Sequence, residues 1–288
     1  MPSPSLDGVA IVTGAGGGIG AAVARSLAAA GMSLVLADRD RSALEAVAAS
    51  LPPSVTVITG VGDVGDPTHH AALVTAAEDL GGVTVSVQNA GVALTGLSWE
   101  VPLEQWELQV RTNYWGVVHG VRAALPAMVR RGLGHVLAVA SGAGLVATPG
   151  LAPYVSSKHA VVGLMESVHH ELARAAPGVR ASVVCPGNIA TPINANSLAV
   201  ADAAGAADVA ACEGGVGDGS TAAVARQIDE TVRRGVDSGA EPRTVADAIV
   251  EAVSTGRFWV LPQPEVALGA LDRVQRIVDG RPPADLLI

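Results

Sequence analysis

A chain of 288 residues can bury a large core without disulfide or metal staples. Its 18 Lys plus Arg stand against 27 Asp plus Glu, a formal net charge of -9 with no basic run, which excludes nucleic acid and anionic membrane as partners. Only Cys185 and Cys212 are present, which excludes a disulfide scaffold, lacks the spacing of a metal site so that no metal is expected, and fits a reducing cytoplasm.

The first apolar run, residues 9–12, passes into Thr13-Gly14-Ala15-Gly16-Gly17-Gly18-Ile19-Gly20 and then an alanine-rich helical stretch, residues 21–30. That order predicts strand, glycine turn, helix. Missing Cβ atoms let a pyrophosphate approach the backbone, and free N–H groups at the positive helix end meet its charge. Gly14, Gly17, Gly18, Ile19 and Gly20 are therefore candidate dinucleotide-binding residues. The spacing is not the strict G-x-G-x-x-G fingerprint, and the plainer reading of the turn is a flexible loop.

A second strand, residues 33–37, ends in Asp38, eighteen residues after Gly20, where a carboxylate can accept hydrogen bonds from both adenosine ribose hydroxyls. A carboxylate facing a 2′-phosphate would put two anions in contact, so NAD is favoured over NADP. Arg39 beside it either turns toward a 2′-phosphate, stacks on the adenine or faces solvent.

Further apolar runs of strand length lie at residues 55–59, 83–87, 135–140, 181–185 and 257–261, each separated by helical stretches. Seven such strands predict an α/β fold, a Rossmann-type doubly wound parallel sheet with helices on both faces, formed by one domain over 1–288. Ligands then gather at the carboxyl ends of the strands. The mean hydropathy of +0.41 invites a membrane reading, and residues 134–157 carry no acid, lysine or arginine. That stretch is broken by Gly142, Gly144, Pro149, Gly150 and Pro153, so strand, loop and helix start are expected rather than a span. Residues 1–8 lack the charged and apolar regions of a secretory signal.

The same stretch leads to Tyr154-Val155-Ser156-Ser157-Lys158, with Ser141 thirteen positions before the tyrosine. A phenol and an ammonium four residues apart share one helix face. The lysine charge there would stabilise a tyrosinate; bringing a phenol from about 10 to roughly 7 takes about 4 kcal/mol. On a helix taken alone the pair is more often solvated surface.

Together these residues resemble the classical short-chain dehydrogenase/reductase family from about residue 6 to 191. The resemblance implies that the glycine turn holds a nicotinamide cofactor, that Asp63 with Val64 meets its adenine and that Asn89, Ala90 and Gly91 match the cofactor-site motif after the fourth strand; with Asp38 and Arg39 these are the candidate cofactor-binding residues. Pro186, Gly187, Ile189 and Thr191 match the segment that binds the nicotinamide carboxamide. Gln88 stands where the family has Asn. The catalytic tetrad maps onto Asn113, Ser141, Tyr154 and Lys158. The implied reaction is hydride transfer between nicotinamide and a carbinol or carbonyl carbon. Tyr154 would handle the hydroxyl proton while Ser141 holds the substrate oxygen. Lys158 would lower the tyrosine pKa and bond the nicotinamide ribose, and Asn113 would hold a relay water. The plainer readings are that Ser141 caps a turn and that Asn113 bonds backbone inside a helix.

Residues 193–240 are small and flexible in composition, read either as a substrate-covering lid or as a surface insertion. An extension, residues 256–288, follows; its Phe258 and Trp259 read as core or interface. Ala143, Leu145, Val146, Leu151, Tyr154 and Leu94 are candidate pocket residues, and none carries a fixed charge, so a neutral, largely apolar alcohol or ketone is expected. The family resemblance implies a homo-oligomer, tetramer or dimer, built through residues 104–130 and 153–176. An NADPH-dependent ketoreductase and a non-catalytic dinucleotide-sensing protein of the same fold are the alternatives; an intact tetrad counts against the second.

Overall fold

The computed structural model describes residues 6–205 and 219–284. The chain starts with β1 (Val9–Thr13), α1 (Gly18–Ala29), β2 (Ser33–Asp38), α2 (Arg41–Ala49), β3 (Val57–Val61), α3 (Pro67–Asp79) and β4 (Val83–Gln88). Helix α4 (Leu103–Val110) runs through a π-helical turn (Arg111–Trp115) into α5 (Gly116–Arg131), then β5 (Gly134–Val139), a 3-10 turn (Gly142–Gly144) and α6 (Ala152–Ala175). After β6 (Val179–Val184) come α7 (Ile193–Ala203), α8 (Gly219–Asp237), α9 (Pro242–Thr255), β7 (Trp259–Val260) and α10 (Pro264–Val278).

The seven strands form one sheet in the order β3-β2-β1-β4-β5-β6-β7, and every pair is parallel. Alternation along β1 explains why that run is apolar throughout. In β1, Val9 and Ile11 point into a core shared with Leu73 of α3, Val121 of α5 and Met165 of α6, whereas Ala10 and Val12 point into one shared with Leu27 of α1, Leu44 of α2 and Ile249 of α9. Asp40 and Asp66 start α2 and α3 by accepting the N–H groups of Ala43 and Thr68, and left-handed Gly132 and Gly256 end α5 and α9. The chain reverses direction across the sheet between β1 and β4, and the main cleft opens there.

Four expectations change. The sixth strand, expected at 181–185, runs Val179–Val184. The third strand runs from Val57, not 55, because Val55 closes a turn onto the Pro52 carbonyl. The seventh shrinks from 257–261 to Trp259–Val260 as an edge strand, since the Arg257 carbonyl is taken by the Ser182 hydroxyl and Pro262 lacks an N–H. The fourth long helix is interrupted at Arg111–Trp115, where the π turn points Asn113 inward.

Of the segment 193–240, α7 and α8 are described; Cys212, Gly214, Gly215 and Gly217 lie outside the described residues. Phe258 packs on the core and meets His169 with ring centroids 4.6 Å apart, while Trp259 is 38% exposed. The core reading therefore holds for Phe258. Among the described residues no helix is long and apolar enough to cross a membrane.

Candidate active site

The glycine turn has the conformations its sequence suggests. Gly14 and Gly18 take φ of 65° and 50°, and a Cβ on Gly14 would fall 2.8 Å from the Ala90 Cα. Gly17 has nothing within 4 Å of an added Cβ and opens into the cleft, as do Gly14, Gly18 and Ile19. Gly20 does not line the cleft. A Cβ there would sit 2.0 Å from the Gly14 carbonyl oxygen, so this glycine lets α1 pack against its own turn.

Asp38 closes the end of the cleft beside the glycine turn. Its carboxylate accepts the Gly16 N–H at 2.8 Å and the Asp40 N–H at 3.0 Å, while Arg39 lies on the cleft rim. Asp63 and Val64 also line the cleft; Asp63 accepts the Gly65 N–H at 2.7 Å and pairs with Arg111 at 2.5 Å. His70 Nε2 lies 3.0 Å from the Val64 carbonyl oxygen, and burial pushes that imidazole down to about 4, so the ring is neutral and donates.

Asn89, Ala90 and Gly91 follow β4 into the cleft. The Asn89 amide turns back to donate to the Thr13 carbonyl at 2.9 Å, and the Thr13 hydroxyl accepts the N–H groups of Asn89 and Ala90 at 3.0 and 3.2 Å. Thr13, which sequence reasoning missed, therefore braces the junction of β1 and β4. Gln88 donates to the Ser86 hydroxyl at 2.8 Å and sits where a Cβ on Gly120 would collide with it.

Across the cleft, Ser141, Tyr154 and Lys158 meet on one wall. Ser141 accepts the Ala143 N–H at 3.1 Å, so it caps the 3-10 turn and also faces the cleft. Lys158 Nζ donates to the Val139 carbonyl at 2.9 Å and lies 5.6 Å from the Tyr154 ring centroid. Gly91 touches the same cluster, because a Cβ on it would lie 3.2 Å from Asn113 Oδ1 and 3.4 Å from Lys158 Nζ. Asn113 is fully buried and absent from the cleft lining. Its amide accepts the Val92 N–H at 2.8 Å and donates to the Val92 carbonyl and the Ser157 hydroxyl at 2.9 and 3.1 Å, bracing the loop after β4.

The protein by itself does not supply the expected lowering of the Tyr154 phenol. Burial pushes the Tyr154 phenol above its ordinary value, opposed by a hydrogen bond with Ser141, and burial brings the Lys158 ammonium down to about 8. Burial is the largest influence on the phenol, so lowering it toward neutrality falls to a cationic group bound in the cleft. Cys185 lies beneath them, its buried thiol pushed up to about 12.

Pro186, Gly187, Ile189 and Thr191 line the near side of the cleft. The Pro186 carbonyl accepts the Gly142 N–H at 2.7 Å, and the segment is stitched to the end of α8 by the Ile189–Ala240 bridge. Gly187 N–H donates to Gln263 at 3.0 Å. The cleft encloses about 1210 Å³. Of the expected pocket residues, Ala143, Val146, Leu151 and Tyr154 line it. Leu145 packs into the α6-side core and Leu94 against Ala201 and Leu108, so neither does. Sequence reasoning also missed Val266 and Gly269 of α10, which line the cleft from a helix with no motif of its own. An open Gly17, a constrained Gly14 and Gly18, and an oriented Asp38 fit a dinucleotide.

A family model described as short chain dehydrogenase matches residues 8–201. The D-beta-hydroxybutyrate dehydrogenase of Rhizobium meliloti is 36% identical over 190 residues, covering 64% of this chain and 72% of that protein. The CLA biosynthesis dehydrogenase/reductase of Lactiplantibacillus plantarum is 31% identical, covering 98% of this chain and 97% of that protein. A short chain dehydrogenase/reductase from Burkholderia phymatum, solved in complex with NAD, superposes with a TM-score of 0.84 at 35% identity, covering 99% of both chains.

Proposed function

The chain belongs to the short-chain dehydrogenase/reductase family of oxidoreductases, and from that premise we propose that it transfers hydride between a nicotinamide, NAD by preference, and a neutral, largely apolar secondary alcohol or ketone. The observation that carries this reading is one cleft with the glycine turn and Asp38 at one end and Ser141, Tyr154 and Lys158 at the other. NAD is supported by the Asp38 carboxylate, which an additional phosphate would meet as a second anion.

Bound nicotinamide supplies the hydride acceptor and a positive ring. The protein's part is proton handling and orientation. Ser141 holds the substrate oxygen beside Tyr154. Tyr154 takes the hydroxyl proton on oxidation and returns it on reduction. Lys158, anchored to the Val139 carbonyl, sets a positive charge near the phenol and donates to the cofactor ribose. Asn113 keeps the loop after β4 in register beside Lys158 by its two bonds to Val92.

Substrate neutrality follows from the lining, where Arg39 and Lys158 are the cations and the Glu265 carboxylate stands at the rim. The Rhizobium relative's name gives it a hydroxybutyrate, which is an anion. With Arg39 beside Asp38 at the opposite end and Lys158 bonded to the Val139 carbonyl, the substrate end disfavours a carboxylate. Within segment 193–240, α7 and α8 line the cleft and are read as the lid. Arg39 supports a second reading, an NADPH-dependent ketoreductase in which its guanidinium receives the 2′-phosphate. We further read the protein as a cytoplasmic homo-oligomer, a tetramer or dimer.

The test is a panel of neutral secondary alcohols and ketones alongside 3-hydroxybutyrate, followed by reduced-nicotinamide absorbance with both cofactors. NAD-linked turnover of neutral compounds is expected, with Asp38→Ala eroding the NAD preference. Tyr154→Phe should lower turnover by about 10²- to 10⁴-fold with cofactor affinity unchanged. Turnover retained in that variant would refute the assignment.

A further inference from the structure

Helix α10 lies beyond the residues that the family model matches, yet it forms one side of the cleft. It starts at Gln263, whose side chain accepts the Gly187 N–H at 3.0 Å and donates to the Asn188 carbonyl at 3.3 Å. Those two bonds fix the start of the helix to the segment beside Ser141. One turn on, buried Val266 covers two glycines. A Cβ on Gly142 would lie 3.3 Å from its methyl, and one on Gly187 would lie 3.4 Å from it.

Gly269, three residues later, also lines the cleft, and an added Cβ there would meet only Val146, at 3.2 Å. Glycine weakens a helix interior relative to alanine, and no positive φ is needed at this position. What glycine provides at 269 is space in the cleft opposite Val146.

We propose that Val266 and Gly269 form the size-selecting wall of the substrate end, Val266 setting the depth beside Ser141 and Gly269 leaving room for a bulky apolar substituent of the alcohol or ketone. This inference rests on the oxidoreductase reading above. Gln263 is a positioning residue that holds the wall in place. Because one added methylene in an apolar pocket changes discrimination by about 10-fold or more, residue 269 is where small changes sort substrates by bulk.

The experiment compares wild type with Gly269→Ala, Gly269→Leu and Val266→Ala. Two readouts are taken on the NADH-loaded protein: affinity for acetone, cyclohexanone and 4-tert-butylcyclohexanone from NADH fluorescence, and kcat/KM for the same ketones. Gly269→Leu should weaken the butyl ketone by about 10-fold or more while acetone changes less than about 2-fold, with Gly269→Ala intermediate. Val266→Ala should shift the ranking toward the bulkier ketones. The Gly269→Ala thermal midpoint should equal or exceed wild type, which separates a filled cleft from a damaged fold. Equal change for all three ketones, or none, overturns the wall. Wild type that binds NADH but no ketone at all overturns the oxidoreductase reading and the wall with it.

Discussion

Lys158 is held at a cost. Its folded-state pKa falls from 10.5 to about 8 because burial penalises the charged form, and that fall corresponds to about 3 kcal/mol. Below pH 8 the lysine is protonated in both folded and unfolded chains, and the folded state bears the full penalty. Between about pH 8 and 10.5 the unfolded chain binds more protons, so stability rises with pH until the penalty is gone. Lys158→Met should therefore be more stable than wild type near pH 7, by up to about 3 kcal/mol less whatever the unpaired Val139 carbonyl costs. The advantage should shrink steadily from pH 8 to 10, measured by denaturant unfolding across that range; an advantage independent of pH would mean the ammonium is not desolvated. At this scale the sequence was informative wherever partners are close along the chain. Tyr154 and Lys158 sit four apart and the glycine turn is contiguous, so helix and turn geometry disclose them. Gln263 bonds Gly187 across 76 residues and the Asn113 amide reaches Val92 across 21; no local periodicity encodes those pairings.

Elements buried on both faces were legible for the same reason that they are stable. The runs that became β1, β2, β4 and β5 are buried almost throughout, and the structure deviates from their expected ends by about a residue. Edge elements carry less of this signal, which is why β7 was overestimated, and the π turn has no signature beyond the asparagine that it turns inward. Helix α8 is tied to the loop after β4 in a way the sequence hides: the Thr95 hydroxyl donates to Asp229 at 2.7 Å, and Arg233 pairs with the same carboxylate at 2.7 Å. Ile228, one residue earlier, packs where a Cβ on Gly150 would collide with it. Since Arg233 is half exposed, its ion pair adds little, and the Thr95 bond is the stronger part of the latch. Asp229→Ala should raise KM for a bulky ketone by about 5- to 10-fold, speed hydrogen exchange in α8 and leave NAD affinity unchanged. KM at the wild-type value with faster exchange would show that α8 does not cover bound substrate.

For the whole molecule, the apolar surface left outside the two cores bears on assembly. Trp99, Leu103 and Trp115, at 76%, 66% and 48% exposure, lie at and around α4 and α5, within or beside the stretch that the family resemblance marks for subunit contact. On α10, Leu268, Leu271, Val274, Ile277 and Val278 are each more than half exposed, with i, i+3 and i+4 spacings along the helix, while Val266 and Gly269 turn inward to the cleft. Soluble monomers rarely leave so much apolar surface in ordered helices. Two separate patches are what a tetramer with two different two-fold contacts requires, each patch meeting its own copy. Wild type should then sediment as a tetramer at micromolar concentration. Trp115→Glu and Leu271→Glu should each give dimers, and the double variant should give monomers with the far-ultraviolet circular dichroism of wild type. A wild type that sediments as a monomer over the same range would refute the assembly. If only Leu271→Glu dissociates the protein, α10 carries the whole interface, and the helix that lines the substrate cleft is also the helix that joins the subunits.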